Sequence, residues 1–99
     1  SGFTRAVGEL TREDWEALAG TVPTIPVPAE QAEGDLVELL SAHGVLASKS
    51  EGRRLVAQGG LYVNDAAAPE GRHLEAGDWH FDRWYMVRKG KKQRFLLTR

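Results

Sequence analysis

The clearest local structural pattern in this chain lies in residues 48–65, which read S-K-S-E-G-R-R-L-V-A-Q-G-G-L-Y-V-N-D. Ser48 and Glu51 have the spacing of a capping box, in which the hydroxyl accepts a hydrogen bond from the amide of residue 51 and the carboxylate accepts one from residue 48. The predicted helix begins directly after Ser48 and ends at Gly59, because glycine tolerates the left-handed conformation of a helix C-cap. The run Leu61–Val63, with an aromatic and a β-branched residue, then favours a short strand.

The predicted helix has one side that packs and one side that carries positive charge, since successive residues are about 100° apart around its axis. The packing side is small and aliphatic and consists of Gly52, Leu55, Val56 and Gly59. The other side carries the cations Lys49, Arg53 and Arg54.

A second cationic segment is predicted at the tip of a hairpin near the end of the chain. Residues 83–88 alternate as a strand does, and residues 95–97 supply the strand that pairs with them. The connection between them contains K-G-K-K, residues 89–92. Upstream, the turn signal at Asn64-Asp65 predicts that residues 66–68 form a short return strand. The sheet is therefore expected to be small and antiparallel or mixed.

Residues 1–34 are predicted to form an acidic leader. Thr11 is expected to cap a short helix, with Asp14 at the third helical position and Gly20 at the end. Three prolines within residues 22–28 exclude a helix there and predict a strand-like or polyproline tether.

The domain itself is predicted to cover residues 35–99. Asp35 is expected to cap a second helix that ends at Gly44. The residues expected to face inward from this helix are Leu36, Val37, Leu39 and Leu40. Helices then precede a small sheet, so the predicted fold class is α+β.

The net charge of −1 conceals a strong asymmetry along the chain. Residues 1–47 carry two basic and eight acidic residues, whereas residues 48–99 carry eleven basic and six acidic ones. From Arg83 to Arg99 there are seven cations and no acidic residue. Because the local field steers a ligand more than the total charge does, the asymmetry indicates a surface that binds a polyanion.

Composition excludes several other classes of function. The chain has no cysteine, which excludes disulfides and thiolate metal sites, and His43, His73 and His80 match no metal-ligand spacing. No apolar run approaches the roughly 20 residues of a membrane span, and no signal-peptide pattern opens the chain. We therefore expect a cytoplasmic protein with neither a metal nor a membrane partner.

Ser1-Gly2 is interpreted as a cloning remnant on an excised fragment.

The order of these elements resembles the S-four-type RNA-binding domain, named after a small-subunit ribosomal protein. The shared features are the cationic helix, the double glycine, the strand, a turn from Leu74 to Asp78 and the basic hairpin. More narrowly, the chain resembles the C-terminal tRNA-binding region of bacterial tyrosyl-tRNA synthetases. The segments that carry this narrower similarity are Leu10–Leu18 with the Val22-Pro23 exit, Tyr85–Lys92 and Phe95–Leu97.

The resemblance implies an RNA-binding module without catalytic residues, whereas ATP and tyrosine would bind a catalytic domain absent from this chain. The implied partner is tRNA, in particular tRNA(Tyr), held by its long variable arm and anticodon stem. The fragment is expected to be a monomer and its parent a homodimer. The implied RNA-binding residues are Ser48, Lys49, Ser50, Arg53, Arg54, Gln58, Arg88, Lys89, Lys91, Lys92 and Arg94. Gly52 stands where the family more usually has alanine, which lowers helix propensity by up to about 1 kcal/mol.

Two other functions fit the sequence. The same domain class occurs in rRNA-modifying enzymes and ribosome-associated proteins, for example as an appendage of pseudouridine synthases. In the second alternative the chain is a protein–protein adaptor, in which the acidic helix around Trp15 docks a partner and the basic hairpin is solvated surface. Aromatic residues could also stack on bases; most are expected in the core, with Trp79 expected to be exposed.

Overall fold

The structure, a computed structural model, describes residues 6–99. Ser1-Gly2, interpreted as a cloning remnant, and Arg5, counted in the charge of the leader, lie outside the described residues. The helices are α1 (Arg12–Ala19), α2 (Leu36–Ala42) and α3 (Lys49–Ala57), and short 3₁₀ turns lie at Val7–Glu9, Ala29–Gln31 and Ala76–Asp78. The strands are β1 (Thr24–Pro26), β2 (Leu61–Val63), β3 (Ala66–Ala67), β4 (Trp84–Lys89) and β5 (Gln93–Thr98). The predicted α+β fold class is confirmed.

The five strands form one mixed sheet in the order β1-β5-β4-β2-β3. β4 and β5 form the predicted hairpin, with Trp84 opposite Thr98 and Lys89 opposite Gln93. β2 pairs antiparallel with β4 and with β3, so the predicted return strand is also present. β1 pairs parallel with β5, and the strand-like alternative is therefore the conformation found in the proline-rich segment.

β4 is the central strand, and its residues Trp84–Val87 are all buried. Tyr85 and Val87 point to the face that packs against α2 and α3, which we call the helix face. Trp84 and Met86 point to the opposite face, which packs against the leader and which we call the leader face. Alternation along one strand thus divides the hydrophobic core into two clusters on either side of the sheet.

The leader is attached to the sheet through Trp15, which is completely buried (0% exposed). Its ring stacks nearly parallel on Trp84, with centroids 6.2 Å apart, and His80 stacks against it at 5.0 Å. Burial in this stack lowers the pKa of His80. Because Trp15 lies in the core, its side chain would not contact a partner in the adaptor alternative, in which the acidic helix around it docks.

The division predicted after residue 34 stays a prediction, and hydrogen bonds join the segment around it to the rest of the domain. The amide of Leu74 donates to the carbonyl of Gly34 (2.9 Å), and the amide of Leu36 donates to the carbonyl of Arg72 (2.9 Å). The helical segment at residues 36–42 therefore starts against the loop that precedes β4.

The helix caps follow the predicted residues with one difference. Thr11 and Asp14 form a reciprocal capping box on α1, with N–O distances of 3.1 and 2.9 Å. At α3 the hydroxyl of Ser48 accepts from the amide of Glu51 (3.1 Å), as predicted. The carboxylate of Glu51, however, accepts from the amide of Ala47 (3.1 Å) and not from that of residue 48. It therefore reaches one residue further back than the capping box requires.

Trp79 was expected to be exposed, and this prediction is wrong. The side chain is 4% exposed, and its ring meets the ring of Tyr85 edge-on at 5.3 Å. The indole N–H donates to the carbonyl of Ala32 (3.2 Å), which satisfies its one polar atom. Trp79 therefore closes the helix-face core beneath the loop that leads into β4.

Asp78 fixes this loop. Its Oδ2 accepts from the guanidinium of Arg72 (2.6 Å), from the amide of Glu75 (3.1 Å) and from the hydroxyl of Tyr85 (3.4 Å). Burial raises the pKa of Tyr85, so this phenol stays protonated and remains a donor. One carboxylate thus joins both sides of the loop to the central strand.

Within residues 6–99, none of the helices has the length and apolar character needed to cross a membrane.

We predict that Asp78→Ala lowers the free energy of unfolding by about 2–3 kcal/mol, because it leaves Arg72 and the buried Tyr85 hydroxyl without their shared acceptor. The measurement is urea unfolding followed by tryptophan fluorescence. Glu75→Ala is the control, since Glu75 is 73% exposed and lies 3.6 Å from Arg72; a change below about 1 kcal/mol is expected. Equal effects of the two variants would contradict the role given to Asp78.

Candidate nucleic-acid interface

The outer side of α3 carries the polar and charged residues that the sequence predicts. Ser48 at the N-cap and five further predicted site residues on or next to the helix are exposed to solvent: Lys49, Ser50, Arg53, Arg54 and Gln58. Within residues 6–99 neither Arg53 nor Arg54 lies within ion-pair distance of a carboxylate. Both guanidinium groups are therefore available to an anionic ligand.

The inner side of α3 approaches α2 through Gly52, which is buried. A β-carbon at this position would lie 2.7 Å from Leu46 Cδ1 and 2.7 Å from Val37 Cγ1, closer than carbon atoms pack. The absence of a side chain at Gly52 thus brings α3 against α2 and the corner that joins them. This contact gives a physical reason for glycine at a position where helix propensity alone favours alanine.

The hairpin tip is tied to α3 at both ends of the helix. Lys89 Nζ donates to the carbonyl of Val45 (3.3 Å), just before α3, and lies 3.7 Å from Glu51 Oε1 in its first turn. The amide of Gly90 donates to the carbonyl of Gly60 (2.7 Å), just after α3. Lys89 therefore positions the hairpin against the helix, whereas the sequence had suggested only a phosphate contact.

The exposed lysines of the tip, Lys91 and Lys92, follow directly after this attachment and have no carboxylate within ion-pair distance in the described part of the chain. The hairpin tip that carries these lysines is thus attached to the same helix that exposes Lys49, Arg53 and Arg54. We call these exposed cations of α3 and the attached tip the cationic edge and define it by Lys49, Arg53, Arg54, Lys91 and Lys92.

Arg88 and Arg94 do not lie with the cationic edge. They are opposite each other in the β4–β5 pair, and Arg88 is opposite Tyr62 of β2. The guanidinium of Arg88 covers the ring of Tyr62 at 3.9 Å and donates to the carbonyl of Gly90 (2.9 Å). Because Val87 and Lys89 point to the helix face, Arg88 between them points to the leader face. The strand alternation in the sequence was a sufficient signal for this separation.

Two carboxylates moderate the charge of the interface. Lys49 Nζ lies 3.4 Å from Glu38 Oε1, and both side chains are more than half exposed. Such an exposed pair contributes little to stability and is readily exchanged for another anion. Glu51, which the sequence assigned to capping alone, caps residue 47 and also pairs with Lys89. Neither ion pair is predictable from local sequence patterns, because the partners are far apart along the chain.

The three histidines have separate surroundings. His43 lies beside Gln31 (3.2 Å), His73 beside the carbonyl of Gly71 (3.0 Å), and His80 against Trp15. Among residues 6–99 no three His, Asp or Glu side chains lie close enough together to hold a metal ion.

Comparison with solved structures identifies the class of domain. The fold matches the solution structure of a tyrosyl-tRNA synthetase C-terminal domain with a TM-score of 0.71 and 28% sequence identity. The match covers 99% of this chain and 98% of that one. The S-four-like architecture expected from the order of the elements is thereby confirmed.

Residues 14–97 match the family model described as Tyrosine–tRNA ligase SYY-like C-terminal domain. The chain therefore belongs to this family of tyrosine–tRNA ligase C-terminal domains. It is 36% identical over 86 residues to the tyrosine–tRNA ligase of Streptomyces griseus. The aligned region covers 86% of this chain and 20% of that relative. It is 31% identical over 99 residues to that of Roseiflexus castenholzii, covering 96% of this chain and 23% of the relative. The chain thus spans about a fifth of the length of these curated relatives.

Gly52→Ala is predicted to destabilise the domain by about 1–2 kcal/mol, because the added methyl group collides with Leu46 and Val37. The helix propensity gained, up to about 1 kcal/mol, does not compensate. Thermal and urea unfolding measure the effect. Gly77→Ala is the control, because a β-carbon there meets nothing within 4 Å, and it should be neutral or slightly stabilising. A more stable Gly52→Ala protein would show that α3 is not held by this contact.

Lys89→Met is predicted to lower stability by about 1–2 kcal/mol, because it removes a charge-assisted hydrogen bond to a backbone carbonyl. It should also accelerate hydrogen exchange at the amide of Gly90, which depends on the hairpin staying against α3. Lys92→Met removes the same charge from the exposed tip and should leave both quantities unchanged. If the two variants exchange equally at Gly90, Lys89 does not attach the hairpin.

Proposed function

We propose that this chain is a non-catalytic RNA-binding module that binds tRNA in translation on behalf of a tyrosyl-tRNA synthetase. The observation that carries the proposal is the attachment of the hairpin to α3 through Lys89 and Gly90. This attachment joins the tip that carries Lys91 and Lys92 to the helix that carries Arg53 and Arg54, and we expect a single folded polyanion to contact both. Membership of the tyrosine–tRNA ligase family supports tRNA as that polyanion.

The chemistry of the cationic edge suits recognition of shape and charge. Its arginine and lysine side chains donate to phosphate oxygens, and the hydroxyl and amide groups of Ser48, Ser50 and Gln58 suit ribose 2′-hydroxyls and phosphates. The exposed pair between Lys49 and Glu38 would be exchanged for a pair between Lys49 and phosphate. Lys89 acts here through position, because its ammonium group already holds the carbonyl of residue 45.

The proposed ligand is tRNA(Tyr), bound through its long variable arm and anticodon stem, and the cationic edge would run along their phosphates. ATP and tyrosine would bind elsewhere in the longer tyrosine–tRNA ligases, so this module itself would need no cofactor or metal ion. It would act as a monomer within a homodimeric parent. Binding would raise the affinity for tRNA and orient it towards a distant catalytic domain.

The test of the proposal is Arg53→Gln combined with Arg54→Gln, measured by fluorescence anisotropy with labelled tRNA(Tyr). If the wild-type protein neutralises about six phosphates, the logarithm of its affinity falls with the logarithm of salt concentration with a slope of roughly −4 to −5. We expect the double variant to bind roughly tenfold or more weakly near 0.1 M salt and to have a slope shallower by between one and two.

The matched control lowers the net charge by the same two units at exposed alanines outside the cationic edge, in the double variant Ala17→Glu with Ala76→Glu. It should retain most of the affinity and nearly the whole slope. If the control and the arginine variant lose equal affinity for tRNA(Tyr), the loss depends on net charge alone, which would contradict a defined interface. Competition between tRNA(Tyr) and an rRNA fragment tests the related alternative. Preference for the rRNA fragment would assign the domain to an rRNA-modifying or ribosome-associated protein.

A further inference from the structure

Phe81 is the one large hydrophobic side chain in the described part of the chain that is exposed, at 47%. It lies in the turn that leads into β4, at the opposite end of that strand from the hairpin tip. β4 extends over five residue steps, which places about 17 Å between the two ends. The turn is thus a different surface from the cationic edge.

The backbone of this turn is unfavourable for the residue it carries. Phe81 has φ of 54° and Asp82 has φ of 57°, both in the left-handed region that glycine and asparagine adopt far more readily than phenylalanine does. Paired backbone hydrogen bonds between His80 and Trp84 (2.7 and 3.0 Å) close the turn. Arg99 braces it by donating to the carbonyl of Asp82 (3.0 Å). The structure therefore holds an exposed aromatic ring in a strained position, a combination typical of functional sites.

Two arginines contact the aromatic rings at this turn. The guanidinium carbon of Arg12 lies 5.1 Å from the centroid of the Phe81 ring, and that of Arg83 lies 4.9 Å from the ring of Trp84. Phe81 itself meets Trp84 edge-on at 6.2 Å. Both arginines are exposed, and within residues 6–99 neither is within ion-pair distance of a carboxylate. The turn thus offers an exposed aromatic ring with one guanidinium group over it and a second over the adjoining Trp84 ring, and both groups remain available to anions.

We infer that Phe81, Arg12 and Arg83 form a second binding site, which takes an unpaired ribonucleotide. The base would stack on the Phe81 ring, and the two guanidinium groups would bind the phosphates on either side of it. Stacking on an aromatic side chain beside arginine is the common way to hold a single-stranded base without reading its identity. The inference rests on the proposed function only for the choice of RNA as the ligand, because none of its residues belongs to the cationic edge.

Phe81→Asn separates binding from folding. Asparagine tolerates the left-handed conformation, so the variant should be as stable as the wild-type chain or more stable in thermal unfolding. Binding is measured by anisotropy with a labelled single-stranded hexa-adenylate. We expect Phe81→Asn to lower this affinity at least fivefold, the lower end of the loss of one stacked base. Phe81→Tyr keeps a ring and should retain the affinity.

The cationic-edge variant, Arg53→Gln with Arg54→Gln, distinguishes the failure of this inference from that of the proposed function. It should weaken tRNA binding far more than hexa-adenylate binding. If Phe81→Asn leaves hexa-adenylate binding unchanged while the cationic-edge variant abolishes it, the oligonucleotide binds at the cationic edge and this inference is overturned, although the proposed function stands. Unchanged hexa-adenylate binding by both variants would likewise overturn it, because the oligonucleotide would then bind at neither surface.

Discussion

The structure depends on one strand that is confined on every side. β4 is hydrogen-bonded to β2 along one edge and to β5 along the other, and its first four residues are buried on both faces. Trp84 and Tyr85 are neighbours in sequence, yet each anchors a different core cluster. α3 and the leader therefore both pack against the same six-residue strand, one on each face. A shift of β4 by one residue would turn Trp84 and Met86 towards the helix face and Tyr85 and Val87 towards the leader face, which would break the packing of both clusters.

The sequence predicted those parts of the fold that local rules determine. The capped helix after Ser48, the hairpin with its cationic tip and the short return strand all follow from capping, turn and alternation patterns, and all are present. The parts it missed depend on residues far apart in the chain. Nothing near Lys89 in sequence indicates that it reaches the carbonyl of Val45, and the burial of Trp79 depends on the carbonyl of Ala32.

The interface illustrates the same limit. The sequence identified the cationic residues but treated two clusters as one footprint, whereas the sheet places Arg88 and Arg94 on the leader face. It also assigned Glu51 to capping alone, although the carboxylate both caps residue 47 and pairs with Lys89. In a simple count of charges, Glu51 and Lys89 would oppose each other in binding an anion. In the structure the two side chains together position the hairpin against α3. The exposed cations around them remain available to a ligand.

The parallel pairing of β1 with β5 has a mechanical consequence. The two strands lie near opposite ends of the chain, so tension applied to those ends, once the leader helix has come away, slides them past each other along their length. The hydrogen bonds from Leu96 to the carbonyl of Pro23 (2.9 Å) and from Val27 to that of Thr98 (2.8 Å) then bear the load simultaneously, in shear. Strands peeled apart sideways break their bonds singly. The β1–β5 pair accordingly resists a pull along its strands better than a pull that separates them sideways.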